Sequence, residues 1–227
     1  MSTGKTHFII VAAGKGSRFG ASLPKQFCLL GGRPVLMTTI DRARTTLPDA
    51  EILLVLSPDF VDYWENLCGK YGFVSPKIVS GGDTRWQSVK NALDSLPATD
   101  GVVMIHDGAR PLISGEVMAG LTQAMESGAQ GALPVVRPAD SMRIIDADGS
   151  SHALDRSKLR AVQTPQAFRS RLLKAAYETG FSPELTDDAS VMEKAGFTDL
   201  RLVDGDPATM KITLPADLKI VALFMEN

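Results

Sequence analysis

The stretch FIIVAAGKGSRFGASLPKQF, residues 8–27, runs from an apolar, β-branched segment directly into a turn crowded with small residues and cations. A continuous apolar run such as FIIVAA (8–13) suits a strand covered on both faces, as in a parallel sheet. EILLVLS (51–57), GVVMIHD (101–107) and GALPVV (131–136) are further runs of the same kind. Between and after them, the segments 34–47, 58–72, 83–96 and 114–127 carry apolar residues at helical spacings of three and four. Pro34 and Pro58 mark helix starts, Gly72 and Gly128 mark ends, and Asp83 is a candidate N-cap. The alternation predicts an α/β fold: a Rossmann-like, open, mostly parallel sheet with helices on both faces. In such sheets a ligand sits beyond the carboxyl ends of the strands, so the loops after Ala13, Ser80 and Ile105 are expected to converge on one crevice.

Past Val136 the rhythm changes. SMRIID (141–146) and the stretch around HALDRS (152–157), joined by the turn residues of DADGSS, read as a β-hairpin arm spanning about 137–161 that leaves the sheet. Helical periodicity returns in 169–180, 186–196 and 214–227, with a strand expected in LRLVDGD (200–206) and a short one in MKIT (210–213). The expected organisation is one domain over 1–227.

A formal charge of −2 gives no concentrated positive field, which argues against bulk attraction to nucleic acid or an anionic membrane. Any anionic ligand must be held by local cations. The two cysteines, Cys28 and Cys68, lack the spacing of a zinc site or a disulfide framework. The start MSTGKTHF has no signal-peptide core, and no window reaches the length of a membrane span, so a cytoplasmic, reducing location is expected.

The turn after the first strand fails two familiar patterns. A dinucleotide fingerprint needs a third glycine where this chain has Phe19, and nothing near residues 14–21 supplies a Walker sequence. What remains is the small-residue turn Ala12, Ala13, Gly14, Lys15, Gly16, whose backbone N–H groups can cup an anion, followed by Arg18 and Lys25. Several cations around one concavity suit a nucleoside triphosphate better than a single phosphate.

AAGKGSRFG followed by PKQF resembles the signature of nucleotidyltransferases that join a nucleoside monophosphate to a sugar or polyol phosphate. GGDTRWQSV (81–89), HDGARP (106–111), DSMR (140–143), LDRS (154–157), TPQAF (164–168), TDDAS (186–190) and MKIT (210–213) narrow the resemblance. In that order they resemble the 2-C-methyl-D-erythritol 4-phosphate cytidylyltransferase family over nearly the whole chain. The resemblance implies transfer of CMP from CTP to that polyol phosphate, in a pathway of isoprenoid synthesis, with Mg2+ carried mainly by the CTP phosphates and no metal ligands from the protein. It implies Arg18, Lys25 and Lys211 as catalytic cations. Ala12, Ala13, Gly14, Lys15, Gly16, Gly82, Asp83, Arg85, Ser88 and Asp107 become nucleotide-binding residues. Asp107, Arg110, Ser141, Arg156, Thr164, Thr186 and Lys211 become acceptor-binding residues. The family also forms homodimers in which each arm completes the neighbouring site, so Arg156 is expected to act across the interface.

Other roles are open at several positions. Asp83 suits a helix cap, Thr186 or Asp187 equally suits one, and Asp107 and Arg110 suit a structural ion pair. His106 has no nucleophile or metal partner at suitable spacing and reads as a packed strand-end residue, and Asp204 and Asp206 read as turn residues. The chain departs from the family at Ser141, where threonine is usual, at Gly108, where alanine is common, and at Thr209, where asparagine is frequent. A cytidylyltransferase acting on another polyol phosphate, such as ribitol 5-phosphate, or a non-catalytic nucleotide-binding protein on the same scaffold are the alternatives.

Overall fold

The structure, a computed structural model, describes residues 4–14, 23–97 and 100–225. β1 (Thr6–Val11) pairs in parallel with β4 (Glu51–Leu56) on one side and with β6 (Val102–Asp107) on the other, while β4 pairs in parallel with β5 (Lys77–Ser80). All six residues of β6 are buried, which is what a run without polar alternation requires. On the far side, β7 (Gly131–Val136) pairs in parallel with β12 (Leu200–Asp204). β11 (Gln166–Arg169) lies between β6 and β7 and runs antiparallel to both, and β10 (Ala161–Val162) pairs antiparallel with β7. The sheet is thus mixed and mostly parallel, with one antiparallel strand in its centre. That strand is the return of the chain from the hairpin, which re-enters at the crevice end of the sheet and can only run back down it.

Helices cover both faces. α1 (Val35–Thr46), α2 (Val61–Tyr71) and α4 (Gly115–Glu126) pack Leu36, Met37, Ile40, Trp64, Met118 and Leu121 against Phe8, Ile10 and Leu54. α3 (Arg85–Ser95), α5 (Ser170–Tyr177) and α6 (Asp188–Lys194) pack Val89, Leu93, Leu173, Tyr177 and Met192 against Ile9, Val55, Val103 and Ile105. Alternate residues of β1 therefore serve opposite cores, the period of two expected of a strand. A smaller cluster joins α7 (Pro215–Met225) through Val221 to Leu30, Val35, Ala109, Leu112 and Ile212. There the short pair β2 (Leu29–Leu30) and β3 (Arg33–Pro34) forms a tight hairpin whose Gly31 and Gly32 take positive φ.

Several local expectations change. The helix after Pro58 begins with the 3-10 turn Pro58–Phe60 before α2, and Gly72, in the left-handed conformation, ends it as expected. Thr84, not Asp83, caps α3, its hydroxyl accepting from Gln87 N. MKIT is not a strand: Ile212 N donates to Ala109 O and Thr213 N to the Asp217 carboxylate, so its backbone is satisfied by a loop and a helix start. The arm forms as β8 (Met142–Ile145) paired antiparallel with β9 (Ser151–Leu154), a two-stranded sheet of its own. Met142, Ile144, Ile145 and Leu154 on it are exposed.

Candidate active site

The carboxyl ends of β1, β4, β5 and β6 open into one crevice of about 820 Å3. Its lining joins Ala12–Gly14 from the first loop, Lys25, Gly81–Arg85 and Ser88 from the turn into α3, Asp107–Ala109 from the end of β6, and Lys211. The expected convergence of three loops is what is seen. Lys15, Gly16 and Arg18 lie outside the described residues.

The first loop is held by a residue that the sequence did not single out. Gln26, in the 3-10 turn Lys25–Phe27, is buried and donates from Nε2 to Ala12 O (2.8 Å) and Gly14 O (3.1 Å). Its neighbour Phe27 is anchored among Phe60, Tyr63 and Trp64. A carboxamide that occupies the carbonyls of the turn fixes the path of its backbone, and the same short turn delivers Lys25 to the crevice wall.

The turn after β5 needs its glycines for space. A Cβ at Gly81 would lie 2.3 Å from Ala13 Cβ, and one at Gly82 would lie 2.2 Å from Gln87 Cγ. Gly108 is similarly tight: its Cβ would meet Ala12 Cβ at 2.9 Å and Leu36 Cδ1 at 3.2 Å, so glycine suits this chain where the family resemblance suggests alanine. Ser88, buried on α3, receives Gly82 N at 3.1 Å and donates to Thr84 O at 2.9 Å, which locks the turn onto its helix.

Asp107 is the electrostatic centre. Lys211 Nζ lies 2.8 Å from Oδ2, Arg110 Nε 3.6 Å from the same oxygen, and Arg85 Nε 3.5 Å from Oδ1. Burial alone would raise its pKa, but Arg85, Lys211 and Arg110 outweigh that and hold the carboxyl well below the usual carboxylate range. Arg85 in turn gives Nη2 to Asp188 Oδ2 at 2.7 Å, and Tyr177 donates its hydroxyl to Asp188 Oδ1 at 2.6 Å. Burial opposes the guanidinium charge, yet Asp188 and Asp107 together raise the pKa of Arg85 above its ordinary value. Lys211, about 38 % exposed, is the member of this set that reaches furthest toward solvent.

Behind Asp107, a chain of hydrogen bonds engages both ring nitrogens of His106. Asp107 N donates to Thr164 Oγ1 (3.1 Å), whose hydroxyl donates to His106 Nδ1 (3.1 Å), and His106 Nε2 donates to Arg110 O (2.9 Å). This satisfies His106 as the neutral Nε2–H tautomer, and burial lowers its pKa to about 4. His106 is the packed strand-end residue the sequence suggested.

Of the acceptor-side residues, Asp107 and Lys211 line the crevice and the others are dispersed. Arg110 turns inward and gives Nη1 to Thr209 O, and Thr164 is buried behind Asp107. Thr186 is exposed just ahead of α6, whose cap is Asp187 with a capping box to Ser190. Ser141 and Arg156 sit on the exposed arm, with Arg156 Nη1 donating to Ala139 O. Within one chain these residues do not meet the crevice. Asp206 is a turn residue, its Oδ1 accepting from Ala208 N. Among the described residues no three His, Cys, Asp or Glu side chains cluster as a metal site.

Comparison with known proteins agrees with this architecture. The model of the 2-C-methyl-D-erythritol 4-phosphate cytidylyltransferase family matches residues 6–227. Curated proteins of that name from Porphyromonas gingivalis (44 % identical, 98 % of this chain and 99 % of the relative) and Phocaeicola vulgatus (41 %, 96 % and 99 %) are similar along their whole length. Among solved structures, the 4-diphosphocytidyl-2C-methyl-D-erythritol synthase of Anaerococcus prevotii superposes with a TM-score of 0.82 at 28 % identity, covering 98 % of this chain and 99 % of that one. The bifunctional protein of Campylobacter jejuni matches with a TM-score of 0.79 at 29 % identity, this chain covering 53 % of it. With a family model spanning nearly every residue and full-length relatives above 40 % identity, this chain belongs to the 2-C-methyl-D-erythritol 4-phosphate cytidylyltransferase family.

Proposed function

We propose that this chain transfers CMP from CTP to 2-C-methyl-D-erythritol 4-phosphate, giving 4-diphosphocytidyl-2-C-methyl-D-erythritol and pyrophosphate. The observation that carries the reading is the crevice itself: a small-residue backbone turn on one wall, with Lys25 and Lys211 brought onto the same cavity from opposite ends of the chain.

The acceptor phosphate attacks the α-phosphorus in line. A new P–O bond forms to an acceptor phosphate oxygen, the bond from the α-phosphorus to the bridging oxygen breaks, and its electron pair leaves on pyrophosphate. A phosphate monoester loses its second proton at a pKa of about 6, so the nucleophile is already dianionic near neutrality and needs no general base. His106 and Asp107 are both committed to internal partners, which suits that chemistry. Lys25 and Lys211 supply fixed positive charge where the α-phosphoryl oxygens gain negative charge, and the family resemblance adds Arg18 to them. Asp107 keeps Lys211 in place and leaves it a net cation, because three cations surround one carboxylate.

The turn Gly81–Asp83 with Ser88 forms the pocket end opposite the phosphates and would receive the base. The close packing of its glycines holds this turn in one shape, and a base is selected there by size and by hydrogen bonds to the turn. A divalent ion such as Mg2+ fits this donor set as a passenger of the triphosphate, neutralising charge and easing pyrophosphate departure. The exposed carboxylates of Asp59 and Asp83, which line the crevice, are the protein groups that would meet its waters. Pyrophosphate release with methylerythritol phosphate and each nucleotide checks the pocket: CTP should support turnover and ATP and GTP should not. Equal rates with purines would reject the assignment of Gly81–Ser88 to the base.

The exposed apolar residues of the arm, and the place of Ser141 and Arg156 outside the crevice lining of their own chain, support a homodimer in which each arm completes the other site. Mixed dimers of an Arg156→Ala subunit and a Lys25→Ala subunit are expected to regain one working site of two. No recovery above either parent would place Arg156 in its own subunit's site. The free thiols of Cys28 and Cys68 suit the reducing cytoplasm.

A further inference from the structure

Lys211 sits in a segment, 205–213, without helix or strand, so its course depends on tertiary hydrogen bonds. Gly205 N donates to Val135 O, Thr209 Oγ1 to Leu112 O, and Ile212 N to Ala109 O. One anchor differs in kind, because a single side chain holds both polar groups of one peptide residue. Gln163, 6 % exposed, donates from Nε2 to Asp206 O (2.9 Å) and accepts at Oε1 from Asp206 N (3.1 Å). A two-point pairing of this type fixes the direction of the segment leaving β12 as well as its distance, whereas a lone bond would leave a swivel.

Gln163 is itself held firmly. Its backbone N donates to Pro134 O at 2.8 Å, extending the pairing of β10 with β7 by one residue. Gly205 is what lets the carboxamide come this close: a Cβ there would lie 2.6 Å from Gln163 Oε1 and 3.0 Å from Val135 O. The next residue, Thr164, accepts the backbone N–H of Asp107. Two consecutive residues, immediately beyond the hairpin arm, thus bond the backbone of Asp107 and the start of the segment that leads to Lys211.

We propose that Gln163 is a positioning residue for nucleotidyl transfer: its carboxamide ties the Lys211 segment to the strand returning from the arm and so sets Lys211 Nζ against Asp107 and the crevice. The proposal rests on the assignment of Lys211 as a phosphate-facing cation. A near-isosteric Gln163→Leu leaves both Asp206 backbone groups without their partner and lets the segment drift. A misplacement of about 1 Å is enough to cost on the order of 10- to 100-fold in turnover. Gln163→Glu keeps the acceptor but loses the donor, and is expected to fall between the wild type and Gln163→Leu while perturbing packing least.

The test is a double-variant cycle on the full-length protein, with turnover and melting temperature measured on Gln163→Leu, Gln163→Glu, Lys211→Ala and the Gln163→Leu/Lys211→Ala pair. If Gln163 acts through Lys211, the pair turns over no more slowly than Lys211→Ala alone, although its losses in melting temperature add. Losses in turnover that multiply in the pair, or wild-type turnover by Gln163→Leu beside a crippled Lys211→Ala, overturn the proposal alone. Wild-type turnover by Lys211→Ala overturns the assignment of Lys211 and the proposal together.

Discussion

Lys25→Ala is expected to lower turnover with CTP and methylerythritol phosphate by about 10²- to 10³-fold, the usual cost of one fixed donor at a site of developing charge. The argument is that the side chain lines the crevice while the turn bearing it is held by its neighbours. Gln26 bonds to Ala12 and Gly14, and Phe27 packs among Phe60, Tyr63 and Trp64, so neither anchor is lost with the ammonium. Melting temperature should therefore change little, and the loss should fall on kcat more than on the KM of the acceptor. Steady-state kinetics beside a thermal melt check this; wild-type turnover would remove Lys25 from the chemistry, and a collapsed melt would make it a structural residue.

Asp107→Asn is expected to damage stability and activity together. The carboxylate stands between Arg85, Arg110 and Lys211, and the amide would leave those three cations facing one another in a largely buried place. Removing one partner of such a buried set costs on the order of 3 kcal/mol. The pH dependence has a definite sign. The folded-state pKa of Asp107 is depressed, so its contribution is fully present above the unfolded carboxyl pKa of about 4 and fades as pH falls below it. Wild type and variant should accordingly differ most near neutrality, and the gap between their melting temperatures should narrow from about pH 4 downward. A gap that stays constant through strong acid would mean that Asp107 does not carry the charge assigned to it. Loss of activity should accompany loss of stability, since Lys211 would no longer have its 2.8 Å partner.

Much of this arrangement was legible in the residues. Unbroken apolar runs announced β1, β4 and β6, and the crevice follows from where those parallel strands end. Of the first turn, whose small residues and cations suggested a phosphate cradle, Ala12, Ala13 and Gly14 line the crevice, and Lys15, Gly16 and Arg18 lie outside the described residues. What escaped were contacts whose partners lie far apart along the chain. Gln26 reaches residues 12 and 14, and Gln163 reaches residue 206, 43 positions away; a glutamine in a short polar stretch carries no local mark of such a task. Asp188 likewise reads as the start of a helix, and only the packing of α6 against α3 and α5 shows its carboxylate buried on Arg85 and Tyr177. The strand pattern of MKIT failed because a β-branched residue beside apolar ones says nothing about a neighbour for pairing, and Ala109 and Asp217 claim its backbone. Asp83 lost the cap to Thr84 because two polar residues in succession leave the helix start undecided by a residue.

The most direct test of the account is pyrophosphate release with CTP and Mg2+, run side by side with 2-C-methyl-D-erythritol 4-phosphate and with ribitol 5-phosphate. The account predicts rapid release that depends on methylerythritol phosphate and is weak or absent with ribitol phosphate. Preference for ribitol phosphate would contradict the assigned acceptor while keeping the chemistry, and no release with either would contradict the transferase itself.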